Sequence, residues 1–144
     1  MTDPRVPFLR ARYAEEDQAA REAGQIPCGD AWLGDPMATW RAGSTPHGGQ
    51  WGGLRWYVED GHEDGVVGRV DPQAAQDEDI ARHIARYDPA HVLSDLAARQ
   101  KALDACAYFL HDNEDGPDPC AEAVLTAFVQ PYASHPEFPE EWRS

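Results

Sequence analysis

The apolar positions change their spacing several times along the chain. Over 3–23, Val6, Leu9 and Tyr13 recur at helical intervals among Arg, Glu, Gln and Ala, which predicts an amphipathic helix. Asp3 suits its N-cap, Pro4 its first turn and Gly24 its stop. Beyond it "GQIPCGDAWLGDPMATWRAGSTPHGGQWGG" loses periodicity and fills with Gly, Pro and Trp, so turns are expected, with short strands at most at 31–33 and 37–42. "LRWYVED" then alternates, placing Leu54, Trp56 and Val58 on one sheet face and Arg55, Tyr57 and Glu59 on the other. With "VVGRV" after the polar loop "GHEDG" it reads as an antiparallel hairpin over 54–70. A lone hairpin is marginal in water, so it needs a third strand from 31–42 or a helix on its apolar face.

From 77 the helical period returns, and "DEDIARHIARY" puts Ile80, Ile84 and Tyr87 on one stripe. Asp77, Glu78 and Asp79 stand at its start, where acids complement the helix dipole. Asp88-Pro89 breaks and restarts the chain, because the residue before proline leaves the α region while Asp caps and Pro opens a new helix. That helix is predicted to run to about 110, with Leu93, Leu96, Leu103, Ala107 and Leu110 on one side. "HDNEDGPDP" reads as a solvated connection, and Asp118-Pro119 starts a last helix with Val124, Leu125 and Phe128 inward until Pro131. The tail is too rich in proline for a helix, yet Tyr132, Phe138 and Trp142 are large enough to pin it. The expected fold class is α+β: an N-terminal helix, a small antiparallel sheet and three C-terminal helices, in a single domain over 1–144.

Charge narrows what such a fold can do. A formal net charge of −14 repels phosphate backbones and anionic membranes and attracts basic proteins, so direct nucleic-acid binding is disfavoured. No apolar run approaches the roughly 20 residues that span a bilayer, and the start "MTDPRVPFLRAR" lacks a leader pattern. A soluble, cytoplasmic protein is expected, with no membrane partner. Cys28, Cys106 and Cys120 form an odd set without a CxxC pair, which points to reduced thiols rather than a disulfide framework. Neither a GxGxxG or phosphate loop nor an HExxH or nucleophile elbow is present, so no cofactor is predicted.

Three blocks carry a resemblance. "FLRARYAEEDQAAREA", "HIARYDPAHVLSDLAARQKAL" and "PYASHPEFPEEW" together resemble an uncharacterised family of short actinobacterial and actinophage proteins, known only as a domain of unknown function. The resemblance implies a cytoplasmic protein of a GC-rich bacterium or its phage. It supplies no reaction and no ligand.

The residues themselves offer four kinds of chemistry. His83 borders the predicted stripe of its helix, whereas His91 lies about 160° around the next helix from Leu93 by the 3.6-residue period, so the two imidazoles are expected to point differently. If the tail returns over the helices, His83 and Arg86 could meet Tyr132 and His135, and His83, Asp88 and His135 could serve as base, orienter and acid or as metal ligands. Cys106, His111 and Cys120 flank one acidic loop and could ligate zinc with His91 or His135 as a fourth ligand, although the usual close ligand pairs are absent. "DNEDGPD" lacks the spacing of a calcium loop.

Acids cluster at Glu15, Glu16 and Asp17, at Glu59, Asp60, Glu63 and Asp64, and at Asp112, Glu114, Asp115 and Asp118. They are either a plain solvated surface or a docking face for a basic partner, or a DNA mimic if they align. Trp32, Trp40, Trp51 and Trp56 are either core or an exposed aromatic patch of the kind that marks partner sites. The expected function is a small non-enzymatic binding or regulatory protein. It would dock a basic protein through Glu59, Asp60, Glu63 and Asp64 and the four tryptophans.

Overall fold

The computed structural model describes residues 2–25, 36–46, 54–67, 77–111 and 116–143. Trp32, Trp51 and the strand expected at 31–33 lie outside them. The fold is α+β: a helix Arg5–Gly24 (α1), strands Trp40–Pro46 (β1), Leu54–Asp60 (β2) and Gly65–Val67 (β3), then helices Asp77–Arg86 (α2), Pro89–His111 (α3) and Pro119–Val129 (α4). Short 3-10 turns occupy Pro36–Ala38, Gln130–Tyr132 and Glu140–Trp142. Two compact units divide these elements, one made of 1–15 with 96–144 and the other of 16–95.

In the unit of 16–95 the sheet runs in the order β1-β2-β3, all antiparallel. The third strand begins at Trp40 and continues to Pro46, later than the expected 37–42, because Pro36–Ala38 is wound into a 3-10 turn. Register pairs Ala42 with Val58 and Ser44 with Trp56, so Trp40, Ala42, Trp56 and Val58 share one face. Ala81 and Ala85 of α2 are buried against Val58 there, with Trp40, Trp56, Val67 and Ile84 packed around them. This corrects the predicted stripe: Ile80 and Tyr87 are exposed, and α2 faces the sheet through its alanines instead. The reason is volume, since two indoles on the sheet leave room only for small side chains opposite. On the other face the Tyr57 ring lies over Gly43, where an added Cβ would come within 2.5 Å of it, and Arg41 pairs across strands with Glu59 at 2.6 Å.

The unit of 1–15 and 96–144 buries Val6, Leu9 and Tyr13 of α1, Leu96, Leu103 and Cys106 of α3, and Leu125 and Val129 of α4. Helical periodicity had marked most of these positions. Asp118 caps α4 by accepting from the Cys120 and Ala121 N–H groups at 2.7 and 3.1 Å, with Pro119 at the first helical position. The stop of α1 falls one residue later than Gly24: Gln25 takes the left-handed conformation, with φ of 51°. Tail aromatics converge on α1, where the Phe8 ring meets Tyr132, Phe138 and Trp142 edge-on at centroid distances of 6.2, 5.9 and 5.4 Å.

Candidate functional site

Asp88 sits where α2 gives way to α3, and its carboxylate is buried. Oδ1 accepts the His91 N–H at 2.7 Å, which caps α3, and Oδ2 accepts the Trp40 N–H at 3.1 Å, which anchors the start of β1. Both oxygens are therefore engaged by backbone donors. Among the described residues no imidazole is hydrogen-bonded to Asp88.

The two histidines beside it behave differently from expectation. His83 and His91 are exposed, and both rings rest on Tyr87, His83 at 5.0 Å and His91 edge-on at 5.4 Å between centroids. The break at Asp88-Pro89 redirects the chain so that His91, which faces away from buried Leu93, still reaches the Tyr87 ring. A shallow depression beside them is lined by Asp79, Arg82, His83 and Arg86, and Arg82 is tied to Glu78 one turn back. His83 and Asp88 belong to the unit of 16–95 and His135 to the other.

His135 has its own surroundings. The buried Arg12 guanidinium reaches it from α1, Nη1 lying 2.6 Å from each ring nitrogen. A nitrogen equidistant from Nδ1 and Nε2 stands over the ring rather than in line with one lone pair. The Glu137 N–H donates to Nδ1 at 3.1 Å. Arg12 Nη2 holds Glu15 at 2.8 Å and Glu137 at 2.9 Å, and its guanidinium carbon lies 5.2 Å from the centre of the Phe8 ring. Arg12, Glu15 and Glu137 were not singled out by sequence reading as a group. The available signal was Phe8 and Arg12, four residues apart beside the Leu9 and Tyr13 stripe, facing a tail already expected to fold back. Chemically the cluster is a clasp that holds residues 132–142 on α1, although the buried Arg12 Nε has no hydrogen-bond partner among the described residues.

The proposed zinc ligands differ in burial. Cys106 is buried in α3, Cys120 is exposed at the start of α4, and His111 is exposed. Burial, with the nearby Cys120 and Asp118, pushes the Cys106 thiol above its ordinary value. No group of three or more His, Cys, Asp or Glu side chains among the described residues is disposed to hold a metal ion. His111 instead borders a cleft of ≈ 600 Å³ with Arg5, Arg10, Tyr108 and Glu122. Its Arg5 is held by Asp3 and Glu122, both at 2.6 Å, which raise the guanidinium above its ordinary value.

Among the candidate docking residues, Trp40 and Trp56 are half-buried on the inner sheet face rather than displayed. Asp60 is buried too, with Oδ1 accepting the His62 and Asp64 N–H groups at 2.8 and 3.0 Å to shape the hairpin loop. Glu59 pairs with Arg41, which also reaches Glu63 at 3.2 Å. Glu63 and Asp64 remain at the exposed tip. No helix among the described residues is long and apolar enough to cross a membrane.

A protein-family model described as a family of unknown function (DUF6221) matches residues 2–144. No curated protein and no solved structure matches the chain.

Proposed function

Starting from the fact that the chain belongs to the DUF6221 family of unknown function, we propose that it is a small non-enzymatic binding protein whose acidic surface docks a basic protein partner. The observation that carries this reading is how the cations are disposed. Twelve Lys and Arg face 26 Asp and Glu, and Arg5, Arg10, Arg12, Arg21, Arg41, Arg82 and Arg143 are each paired to acids of the same chain. A partner therefore meets the surplus of carboxylate, and that field favours and accelerates the approach of a basic surface. DNA mimicry has weaker support, since Glu59, Asp60 and Glu63 are all engaged within the sheet and its hairpin. A duplex presents one charge per about 1.7 Å of axis.

The test is capture from a host lysate at about 50 and 500 mM salt, where screening shortens the reach of charge from roughly 14 to 4 Å. A basic protein retained at low salt and released at high salt is the expected result, with less retention by a Glu63→Lys, Asp64→Lys variant. Absence of any salt-sensitive partner would sink the reading.

A further inference from the structure

The face of α3 opposite Leu103 and Leu110 presents Ala97, Ala98, Lys101, Asp104, Ala105 and Tyr108, all exposed. All six belong to the unit of 1–15 and 96–144. Tyr108 is 62% exposed, and Phe109 beside it, 52% exposed, meets its ring edge-on at 5.5 Å. Large uncovered aromatics on a regular helix mark a contact surface more often than scattered single residues do. What lies around them says what the contact is.

Ala97, Lys101, Asp104 and Tyr108 recur at intervals of four, three and four, the seam of a paired helix. We propose that this seam docks on the same seam of a second copy, the two helices antiparallel about a two-fold axis between Ala102 and Leu103. In that register Ala97 and Tyr108 lie equally far from the axis on opposite sides, as do Lys101 and Asp104. Each Tyr108 therefore covers the partner's Ala97, which has no side chain beyond its methyl group. Each Lys101 meets the partner's Asp104. Both size and charge are self-complementary, as a two-fold contact requires.

Charge selects the register. Lys101 is the sole lysine of the chain, it stands in the middle of the seam, and it has no ion pair among the described residues. Asp104 is exposed, pairs with the equally exposed Arg10 at 3.1 Å and accepts from Gln100 Nε2 at 2.8 Å, both through Oδ1, so Oδ2 is without a partner among the described residues. Moving the axis two residues toward the C-terminus would set Lys101 against Tyr108 and Asp104 against Ala105, so neither charge would meet an opposite one across the seam. A single helix pair buries less than the roughly 1,200 to 2,000 Å² of a stable complex, so the association is weak. Two copies of charge −14 repel, so added salt tightens this association. Docking of a basic partner has the opposite salt dependence, and the two ideas fail separately.

Sedimentation equilibrium of the full chain, up to about 200 µM and at about 50 and 500 mM salt, reads the outcome directly. The wild type is expected to dimerise more tightly at the higher salt. Lys101→Asp and Asp104→Lys each set like charges together and are expected to weaken self-association about tenfold or more. An equimolar mixture of these two variants restores opposite charges in both layers, and a heterodimer near wild-type strength is expected. Circular dichroism melting establishes that each variant is folded. Should Asp104→Lys not fold, Ala97→Glu, which sets a carboxylate against the partner's Tyr108, is expected to abolish the dimer. A wild type monomeric at about 200 µM overturns the proposal. So do variants that associate as the wild type does, or a mixture no stronger than its components.

Discussion

Asp88 and Arg12 are both buried charges that hold distant parts of a unit together, and they do so with different materials. Asp88 takes backbone N–H groups from His91 and Trp40. Arg12 takes side chains: Glu15, Glu137 and the rings of His135 and Phe8. Backbone donors cannot turn away or find water without unmaking a helix end or a strand, so the Asp88 corner is rigid. The carboxylates on Arg12 are 59% and 70% exposed, so each can exchange its partner for water at little cost. Similar burial of a charge therefore does not mean equal commitment to the fold.

Asp88→Ala separates the two most sharply. It removes the α3 cap and leaves the Trp40 N–H unpaired, and is expected to cost about 2 to 4 kcal/mol in urea unfolding. A loss below about 1 kcal/mol would mean that water serves the corner as well. Next in size is Gly43→Ala, which forces a methyl group against Tyr57 and should cost about 1 to 3 kcal/mol without touching either charge. Arg12→Lys keeps the cation but loses the second nitrogen that lets Nη2 hold Glu15 and Glu137 while Nη1 meets His135, and the guanidinium over Phe8. A loss of about 1 kcal/mol is expected, and one as large as that of Asp88→Ala would mean that the two charges are equally committed to the fold.

The smallest effect is a pH dependence. The side-chain hydrogen bond from Arg5 holds the Asp3 carboxyl below its usual value of 3.8. A depressed carboxyl contributes stability that is present above its unfolded value and is lost as pH falls through its folded one. Asp3→Asn is therefore expected to be slightly less stable at neutral pH, with the gap closing below about pH 4 in urea midpoints taken across the acid range. A gap that stays constant down to low pH would show that the carboxylate charge of Asp3 does not matter.

Sequence made the Asp88 corner readable because everything it uses is local: an acid, a proline and the next turn of helix. The same locality made Asp118 and the antiparallel hairpin readable. The α2 stripe was misread because side-chain period alone does not say how large the opposing surface is; Trp40 and Trp56 selected Ala81 and Ala85 over Ile80. The Arg12 clasp joins positions more than 120 residues apart, and no periodicity carries that pairing. Exposed acids were legible as composition, but that Asp60 would turn inward to shape a loop depended on the geometry of the turn itself.

The Phe8 ring is closed over by residues 132–142, and this sets an order of events during synthesis. At about 5 to 20 residues per second, Phe8 is added roughly 6 to 27 seconds before the residues that cover it. Through that interval α1 displays an aromatic ring without its cover while the whole of 16–95 is being made. A nascent chain halted before 132 would carry the same uncovered ring, an apolar face of the kind that chaperones and proteases act on.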